Sequence, residues 1–501
     1  MTPEELLTKV RSGETIREAD LSGSLLEKAI LIGGRFPACD FSRARMMGAE
    51  LNGADLSQAR FEKTDLRFGS LRGVKAERGS FSGALLAHCV FDGSALEGVD
   101  FTAVELEKAT FAGAKLSGSR WDNTTLNDVD FTKGSGFDRM TFAESDCDSV
   151  LLSGIAAEGL NFRDAHLRLV SFMGSTLAGA VFSGCRFSRV NLDRAVVPGG
   201  DFREIKSVNS TFREGDFGGA DFLAAVFENT DLSRARFLGA SLRKVQANKY
   251  TVFKDSILDD ANLEGSVLDG ADLSGASLKR AVLKGASLKG ANLSSIDFEG
   301  ADLSGASIEG ANLSGASLKG CVVPGEFFLQ KGIVLERVAL DGIAIDKAAF
   351  AGVSWEDVRL SGARLPGADF RGARLARSSF AGAVLAGADL SSADLTGSDL
   401  SSAILTGANL VGTKLARARL AGADLSGADL RGAQLAGANL MGAKLKGAQG
   451  RWEDLRRAAF GSDSLVGIVL HGAIAGLPQK NLPDVVEVKQ NLAEMLVKLR
   501  A

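Results

Sequence analysis

The sequence predicts an all-β fold, a four-sided β-helix that winds as a solenoid of five-residue repeats with four repeats in each coil. Three observations predict it: a large apolar residue returns at every fifth position, a small residue lies two positions before it, and aromatic residues recur at every twentieth position. A period of five fits neither an α-helix nor an alternating strand. With 60 Gly, 29 Phe and 1 Tyr, the composition also departs from average globular usage, which favours a repeat architecture.

The five-residue period assigns an inside and an outside to each repeat. Ala54 precedes Leu56 by two positions, and Ala271 precedes Leu273 in the same way, so one small and one large residue are expected to face the interior together. The other three positions carry Asp or Asn, a second polar residue, and commonly Gly, which suit solvent and tight turns. The Asp that stands just before the large residue is expected to bond the backbone of the turn. The first large residues of the series are Ile16, Leu21, Leu26, Leu31, Phe36 and Phe41.

A second period gives the number of sides in a coil. Aromatic residues follow one another at steps of twenty, and the column reads Phe41, Phe61, Phe81, Phe101 and Trp121. If residues twenty apart lie in neighbouring coils, these side chains stack as a ladder inside the tube, where like residues pack well. Twenty residues at five per side give four sides.

Three interruptions break the period. A one-residue insertion falls at Gly134–Gly136 and another at Asn248–Thr251, yet the aromatic column continues from Trp121 to Phe142, so each insertion predicts a local bulge in one continuous tube. The largest interruption lies between Val323 and Leu335 and contains two extra residues, which predicts a protruding loop.

The ends of the chain predict short helices that cover the open coils. Thr2, Pro3 and Glu5 have the pattern of an N-cap, a first-turn proline and a capping acid. An amphipathic helix is expected to start at Asn481–Pro483 and either to cap the last coil or to form a homodimer. The predicted segments are a capping helix at 1–15, repeats at 16–323, an interruption at 324–335, continuous repeats at 336–476 and a helix at 477–501.

These five-residue units resemble the pentapeptide repeat family, and the resemblance covers nearly all of residues 16 to 475. It implies a right-handed quadrilateral β-helix with the large and the small residue inside. Some members of the family bind DNA gyrase and protect it from inhibitors, others are associated with bacterial secretion systems, and many have no known role. The resemblance therefore implies a fold and leaves several functions open.

No constellation of residues predicts catalysis, a metal site or a cofactor. The three histidines, His88, His166 and His471, stand apart in the sequence. Cys89 follows His88 directly, but it occupies the inward small position while His88 is expected to face outward. Glycine recurs as a turn residue, and no phosphate-binding loop motif occurs. We expect a protein that is not an enzyme.

Charge and cysteine content restrict the partners and the compartment. Lys and Arg total 58 against 62 Asp and Glu, which predicts no direct binding of nucleic acid. No apolar run approaches the length of a membrane span, no signal peptide is recognisable, and the five cysteines show no disulfide framework. These features predict a cytoplasmic protein, although export without a classical signal peptide stays open.

Two segments are candidate partner-binding sites. Phe327, Phe328 and Lys331 in the largest interruption form a candidate loop with an aromatic anchor, and the alternative is that both rings fold inward. Asp369, Asp389 and Asp429 lie at twenty-residue steps or multiples of them and form a candidate acidic stripe.

The favoured function is a non-catalytic, rigid scaffold for another protein. One alternative is a DNA-mimicking binder of gyrase or topoisomerase, and another is a component or effector of a secretion system. Elsewhere, Lys279, Glu299 and Lys319 alternate in sign at the same twenty-residue step, which disfavours a uniform mimic of duplex charge.

Overall fold

The computed structural model describes residues 1–324, 326–330, 333, 335, 337–455, 457–460, 469–471 and 485–487. They belong to two compact units, Met1–Val267 and Leu268–Ala501, each described by itself. In both units, β-bridges join residues about twenty apart in parallel, so each side of a coil pairs with the same side of the next. The predicted solenoid of four repeats per coil is confirmed in each unit.

Regular elements are short because each side of a coil contributes only one to three bridging residues. The helices are α1 (Pro3–Arg11) and α2 (Trp452–Leu455), and Phe327–Leu329 forms a 3-10 turn. No helix in the described parts of the chain is long and apolar enough to span a bilayer. The strands of the first unit are β1 (Glu105–Glu107), β2 (Thr125–Asn127), β3 (Asp146–Asp148), β4 (Ala156–Glu158), β5 (His166–Arg168), β6 (Thr176–Ala178), β7 (Arg186–Ser188), β8 (Lys206–Val208), β9 (Val226–Glu228) and β10 (Gln246–Ala247). Those of the second unit are β11 (Asn439–Leu440), β12 (Gln449–Arg451), β13 (Ala459–Phe460), β14 (Val469–His471) and β15 (Val485–Glu487).

One repeat shows why the five-residue pattern folds in this way. The N–H of Leu56 donates to the carbonyl of Lys75 in the next coil, at 2.6 Å, and the N–H of Asp55 donates to Gly34 in the coil before, at 2.9 Å. The N–H of Ala59 then closes a tight turn onto the carbonyl of Leu56, at 2.9 Å, with Gln58 at a φ of 58°. Every fifth position thus needs a left-handed residue, which explains the frequent glycine.

The register confirms the predicted insertions. In the first unit, Lys115 bridges Ser135 at a step of twenty, whereas Arg120 bridges Thr141 at twenty-one. The ladder of rings continues across this step, because Trp121 stacks on Phe142 with centroids 5.9 Å apart. In the second unit, Ser317 bridges Ala339 at a step of twenty-two, so the largest interruption adds two residues without ending the ladder.

Aromatic ladders fill the interior of the first unit. Phe41 and Phe61 stack with centroids 4.9 Å apart, and Phe61 and Phe81 with centroids 4.8 Å apart. Rings from neighbouring sides meet edge to face, as Phe81 and Phe91 do at 5.8 Å. Parallel in-register coils bring identical side chains together, and both ring arrangements are favourable.

Small residues make room where large rings accumulate. Ser207 and Ala247 occupy large-residue positions directly below and above Phe227 in the same column. Ser207 is fully buried, and its hydroxyl lies 3.2 Å from that of Thr230. A large side chain in place of Ser207 or Ala247 would overpack this part of the core.

Several polar residues in the small inward position share one repeated hydrogen bond. The side chain of Thr64 donates to the carbonyl of Phe41, 23 residues earlier, at 2.8 Å. Ser94 and Cys89 make the equivalent bond to Leu71 and Leu66. At these three positions the bond lets Thr, Ser and Cys replace Ala without an unpaired buried donor.

Helix α1 begins with a capping box formed by Thr2 and Glu5. The Thr2 side chain accepts from the N–H of Glu5 at 3.2 Å, and the Glu5 side chain accepts from the N–H of Thr2 at 2.8 Å. Leu6, on the inner face of the helix, is 1% exposed.

The C-terminal helix prediction is wrong where it can be compared. Val485–Glu487, inside the predicted helix, form β15, which pairs antiparallel with β14. An end strand leaves N–H and C=O groups without partners, and two β-branched valines suit a strand that pairs with it. The rest of the predicted segment, including the residues expected to form a homodimer, lies outside the described residues.

The predicted protruding aromatic anchor is also wrong for its two rings. Phe327 and Phe328 are 0% and 5% exposed. The ring of Phe328 lies 6.0 Å from that of Phe350 and 5.5 Å from that of Trp355. In a β-helix that fills its core with Phe, burial of two more rings is worth more than display to solvent.

The side-chain amide of Gln330 takes the place of a backbone peptide group at this interruption. Its side-chain carbonyl accepts from the N–H of Ile308 at 2.7 Å, and its amide donates to the carbonyl of Ala306 at 3.2 Å. In regular coils these two groups pair with one residue of the next coil, as Leu288 and Ala286 do with Ser307. The primary amide of glutamine has the same donor and acceptor as a peptide group, so it completes the ladder.

We therefore predict that Gln330→Ala lowers the free energy of unfolding by about 1–3 kcal/mol for each group left unpaired, as measured by denaturant unfolding. Gln330→Glu should also destabilise, because a carboxylate cannot donate to Ala306. The control is Gln434→Ala, at an exposed position, which should change stability by less than about 0.5 kcal/mol. Equal effects at the two sites would contradict the role of Gln330.

Candidate interaction surface

No arrangement of side chains in the described residues suggests catalysis. No group of three His, Cys, Asp or Glu residues is placed to hold a metal ion in that part of the chain. His166 Nδ1 lies 3.0 Å from Asp146 Oδ1 on an outer face. His88 stacks on Phe68 and therefore faces outward from Cys89, as predicted. The side chain of His471 lies outside the described residues.

All five cysteines are buried and unpaired. Burial raises the pKa of Cys89 and of Cys321 to about 12, and it also raises the pKa values of Cys39, Cys147 and Cys185. A thiol at this pKa is almost entirely protonated near neutral pH, and the thiolate is the reactive form. These cysteines are core residues and not nucleophiles.

We predict that a thiol reagent at about pH 7.5 modifies Cys89 and Cys321 on the order of a thousandfold more slowly in the folded chain than in the unfolded chain, because the pKa rises from 9.0 to about 12. The measurement is the rate of labelling with and without denaturant, followed by mass spectrometry. Labelling of the native chain at the unfolded rate would mean that these thiols are accessible.

The candidate acidic stripe exists as a register, and arginine pairs with two of its three carboxylates. Bridges run from Asp369 to Asp389, Asn409 and Asp429, so these residues occupy successive coils. Arg371 binds both carboxylate oxygens of Asp369, at 2.9 and 2.7 Å, and this lowers the pKa of Asp369. Arg431 binds Asp429 in the same way. Asp389 accepts from the side-chain amide of Asn409 at 3.1 Å.

The Asp residues of the stripe also hold their own turns. Asp389 accepts from the backbone N–H of Ser391 at 2.9 Å, and Asp369 accepts from that of Arg371 at 3.1 Å. A carboxylate before the central residue therefore satisfies a turn N–H, as the sequence predicts for this position. Lys331, the third member of the candidate loop, lies outside the described residues.

Alternating charges neutralise other parts of the surface. Glu214 lies 3.0 Å from Arg194 in the coil before and 3.8 Å from Arg234 in the coil after. These side chains line an open surface groove of about 510 Å³ that also contains Asp193, Arg213 and Lys254. In the second unit, Lys319 binds Glu299 at 2.8 Å, which agrees with the predicted alternation. The groove therefore presents charges of both signs along its lining.

The sequence reasoning missed an exposed aromatic pair. The rings of Phe68 and His88 stack with centroids 4.7 Å apart and an interplanar angle of 5°, and Phe68 is 61% exposed. Both residues occupy the left-handed turn position, with φ values of 61° and 60°. Their N–H groups donate to Ala87 and Glu107 in the next coils, which fixes both turns. The available signal was an aromatic residue at a position where glycine or a charged residue is usual.

This pair is unusual because most of the Phe68 side chain lies outside the core and gains little stabilisation from burial. A bulky residue with a positive φ is uncommon and costs about 1–2 kcal/mol. Phe68 accepts this cost while most of its ring stays in water. Leu85, three residues before His88, is exposed as well, at 36%. The chain thus presents the Phe68–His88 stack and an exposed Leu85 on turns and bridges that the backbone ladder holds in place.

The sequence profile described as pentapeptide repeats matches residues 39–75, 80–134, 158–205, 209–245, 251–320 and 346–447. No curated protein sequence matches the chain. Among solved structures, HetL, a pentapeptide repeat protein involved in regulation of heterocyst differentiation in the cyanobacterium Nostoc, is 27% identical over 55% of this chain and 90% of its own, with a TM-score of 0.19. Full-length QnrB1, a plasmid-mediated fluoroquinolone resistance protein, is 18% identical over 42% and 94%, with a TM-score of 0.16. A pentapeptide repeat protein of the Arabidopsis thaliana thylakoid lumen is 30% identical over 22% and 65%, with a TM-score of 0.12.

Proposed function

Because the chain belongs to the pentapeptide repeat family, we propose that it is a non-catalytic, rigid scaffold that binds another protein through its outer surface. Proteins of this family are generally structural or binding proteins without catalytic activity. The observation that carries the proposal is the exposed stack of Phe68 on His88.

The stack has the properties of a binding anchor. Aromatic side chains contribute large contact areas at low cost in conformational entropy, and they are enriched among the residues that dominate binding energy. The turns that carry Phe68 and His88 are bonded to the coils above, so the pair is already ordered before a partner binds. Leu85 adds apolar area in the same coil as His88.

We predict that Phe68→Ala reduces capture of the bound protein from a lysate of the native cell about tenfold or more, because an aromatic anchor typically carries this share of the affinity. The measurement is quantitative mass spectrometry of the protein retained on the immobilised chain. The matched control is Tyr250→Ala, which removes another exposed aromatic ring from the same unit and should leave capture unchanged. The proposed site would be contradicted if Phe68→Ala still captured every protein that the unaltered chain captures, or if both variants lost capture equally.

A second candidate is a DNA-mimicking binder of gyrase, and the ladder of Asp369, Asp389 and Asp429 is the feature that favours it. Duplex DNA presents regularly spaced negative charges, and successive coils present these carboxylates at regular steps. Arg371 and Arg431 neutralise two of the three carboxylates, so we rank this candidate below the scaffold.

For this candidate we predict that the chain inhibits supercoiling by purified gyrase, or protects it from a gyrase poison, in a dose-dependent manner. Replacing Asp369, Asp389 and Asp429 together by Asn should abolish the effect, because Asn keeps the turn acceptor and removes the charge. Asp424→Asn, on another side of the same unit, is the control. An absence of any effect of the unaltered chain would eliminate gyrase as the target.

A further inference from the structure

The largest sheet of the first unit carries its charges in two separate blocks. Strands β1, β2, β3, β5, β7, β8, β9 and β10 pair in this order in parallel, all on one side of the coils. In each strand the central side chain is buried, and the flanking side chains face outward. The outward rows therefore form one continuous surface, which we call the sheet surface.

The first block is acidic. Strands β1 to β3 and their following turns carry five carboxylates and one lysine, which are Glu105, Glu107, Asp128, Asp146, Asp148 and Lys108. The second block is basic. Strands β5, β7 and β8 and their following turns carry three arginines, one lysine and one histidine, which are Arg168, Arg186, Arg189, Lys206 and His166.

Some of these charges are paired within the chain, and others are not. At the boundary of the blocks, Asp146 contacts His166, and Asp148 contacts Arg168. Lys206 lies 3.3 Å from Glu228, and Lys108 lies 3.8 Å from Glu107. Glu105, Arg186 and Arg189 form no ion pair with any described residue. Both blocks thus keep uncompensated charge, on β1 in the acidic block and on β7 and its following turn in the basic block.

We propose that the sheet surface binds the same surface of a second copy of this chain, with the two solenoids antiparallel. A two-fold axis that runs parallel to the strands, at a level between β3 and β5, places the acidic block of each copy opposite the basic block of the other. It brings β1 over β8 of the second copy, so Glu105 faces Lys206, and it brings β2 over β7. Closed two-fold pairing of one surface with itself is the commonest form of homo-oligomer.

The charge pattern selects this arrangement over the others. A two-fold axis along the solenoid would place each block opposite its own kind, and like charges across an interface are repulsive. Partners without segregated charge gain nothing from the pattern. A second copy has both blocks in the required order and spacing, because the register of twenty residues sets the spacing in both.

The expected association is weak and sensitive to salt. Ion pairs between exposed side chains contribute little individually, and about 0.15 M salt screens charges beyond about 8 Å. The sheet surface contains few apolar side chains, Val208 and Val226 among them. A small, polar interface of this type is characteristic of transient complexes.

The test compares the sedimenting mass of the full chain with that of two charge-reversal variants. The first variant is Glu105→Lys with Glu107→Lys, and the second is Arg186→Glu with Lys206→Glu. The unaltered chain should show a concentration-dependent dimer at about 0.02 M salt that dissociates at about 0.5 M. Each variant alone should sediment as a single chain, and an equimolar mixture of the two should regain the dimer, because the reversed charges of one face those of the other.

The control is Lys75→Glu with Lys115→Glu, which makes the same charge change as the second variant on another side of the unit. It should dimerise like the unaltered chain. Circular dichroism confirms that each variant is folded, and a misfolded variant could not rescue the other on mixing. A single-chain mass for the unaltered chain at low salt, dimers in either variant alone, or failure of the mixture to associate would overturn the proposal.

Discussion

The backbone ladder between coils is the constraint on which the rest of the structure depends. Each bridging residue donates to the coil below, and its neighbour donates to the coil above, as Asp55 and Leu56 do. Buried N–H and C=O groups without partners are costly, so the step of twenty residues must be kept almost everywhere. Insertions survive only where the chain can bulge between two bridges, or where a side chain completes the ladder. Gln330 does so by presenting a donor and an acceptor in place of a peptide group.

The ladder also determines how side chains pack in the interior. Since coils stack in register, each core side chain has its counterpart directly above and below, and like residues form columns. The column from Phe41 through Phe61 to Phe81 is the result for rings. The same geometry bonds the side chains of Thr64, Cys89 and Ser94, at small inward positions, to a carbonyl 23 residues earlier, which is why these polar groups are tolerated in an apolar core. Polar composition of the core is therefore not evidence of a functional site in this fold.

On the outside, the ladder converts sequence into regular rows of side chains. Where charges alternate at steps of twenty, as in Arg194, Glu214 and Arg234, neighbouring coils neutralise one another. Where charges of one sign follow in blocks, as on the strands from β1 to β8, the surface has one negative and one positive patch. Another molecule can recognise such patches by their charge. Phe68 and His88 add an ordered apolar feature at turn positions. Rows and turns are therefore the ordered features of this surface, and the groove beside Glu214 is open and lined by charges of both signs.

The sequence by itself determined the period, the number of sides, the two inward positions and the three insertions, because each follows from which residues recur at five and twenty. It also indicated that Asp before the central residue holds a turn, since the spacing of that bond lies within one repeat. It did not determine where side chains go once the period fails. Phe327 and Phe328 turn inward because Phe350 and Trp355 offer a core to join, and those contacts depend on a coil that comes later in the chain. Val485–Glu487 pair with β14, a partner that periodicity within the segment cannot reveal. The acidic stripe was correct as a register, but Arg371 and Arg431 fold back onto their carboxylates, and only the tertiary structure shows which charges remain available. Local repeats fix the backbone path, whereas contacts between distant residues decide what the surface presents.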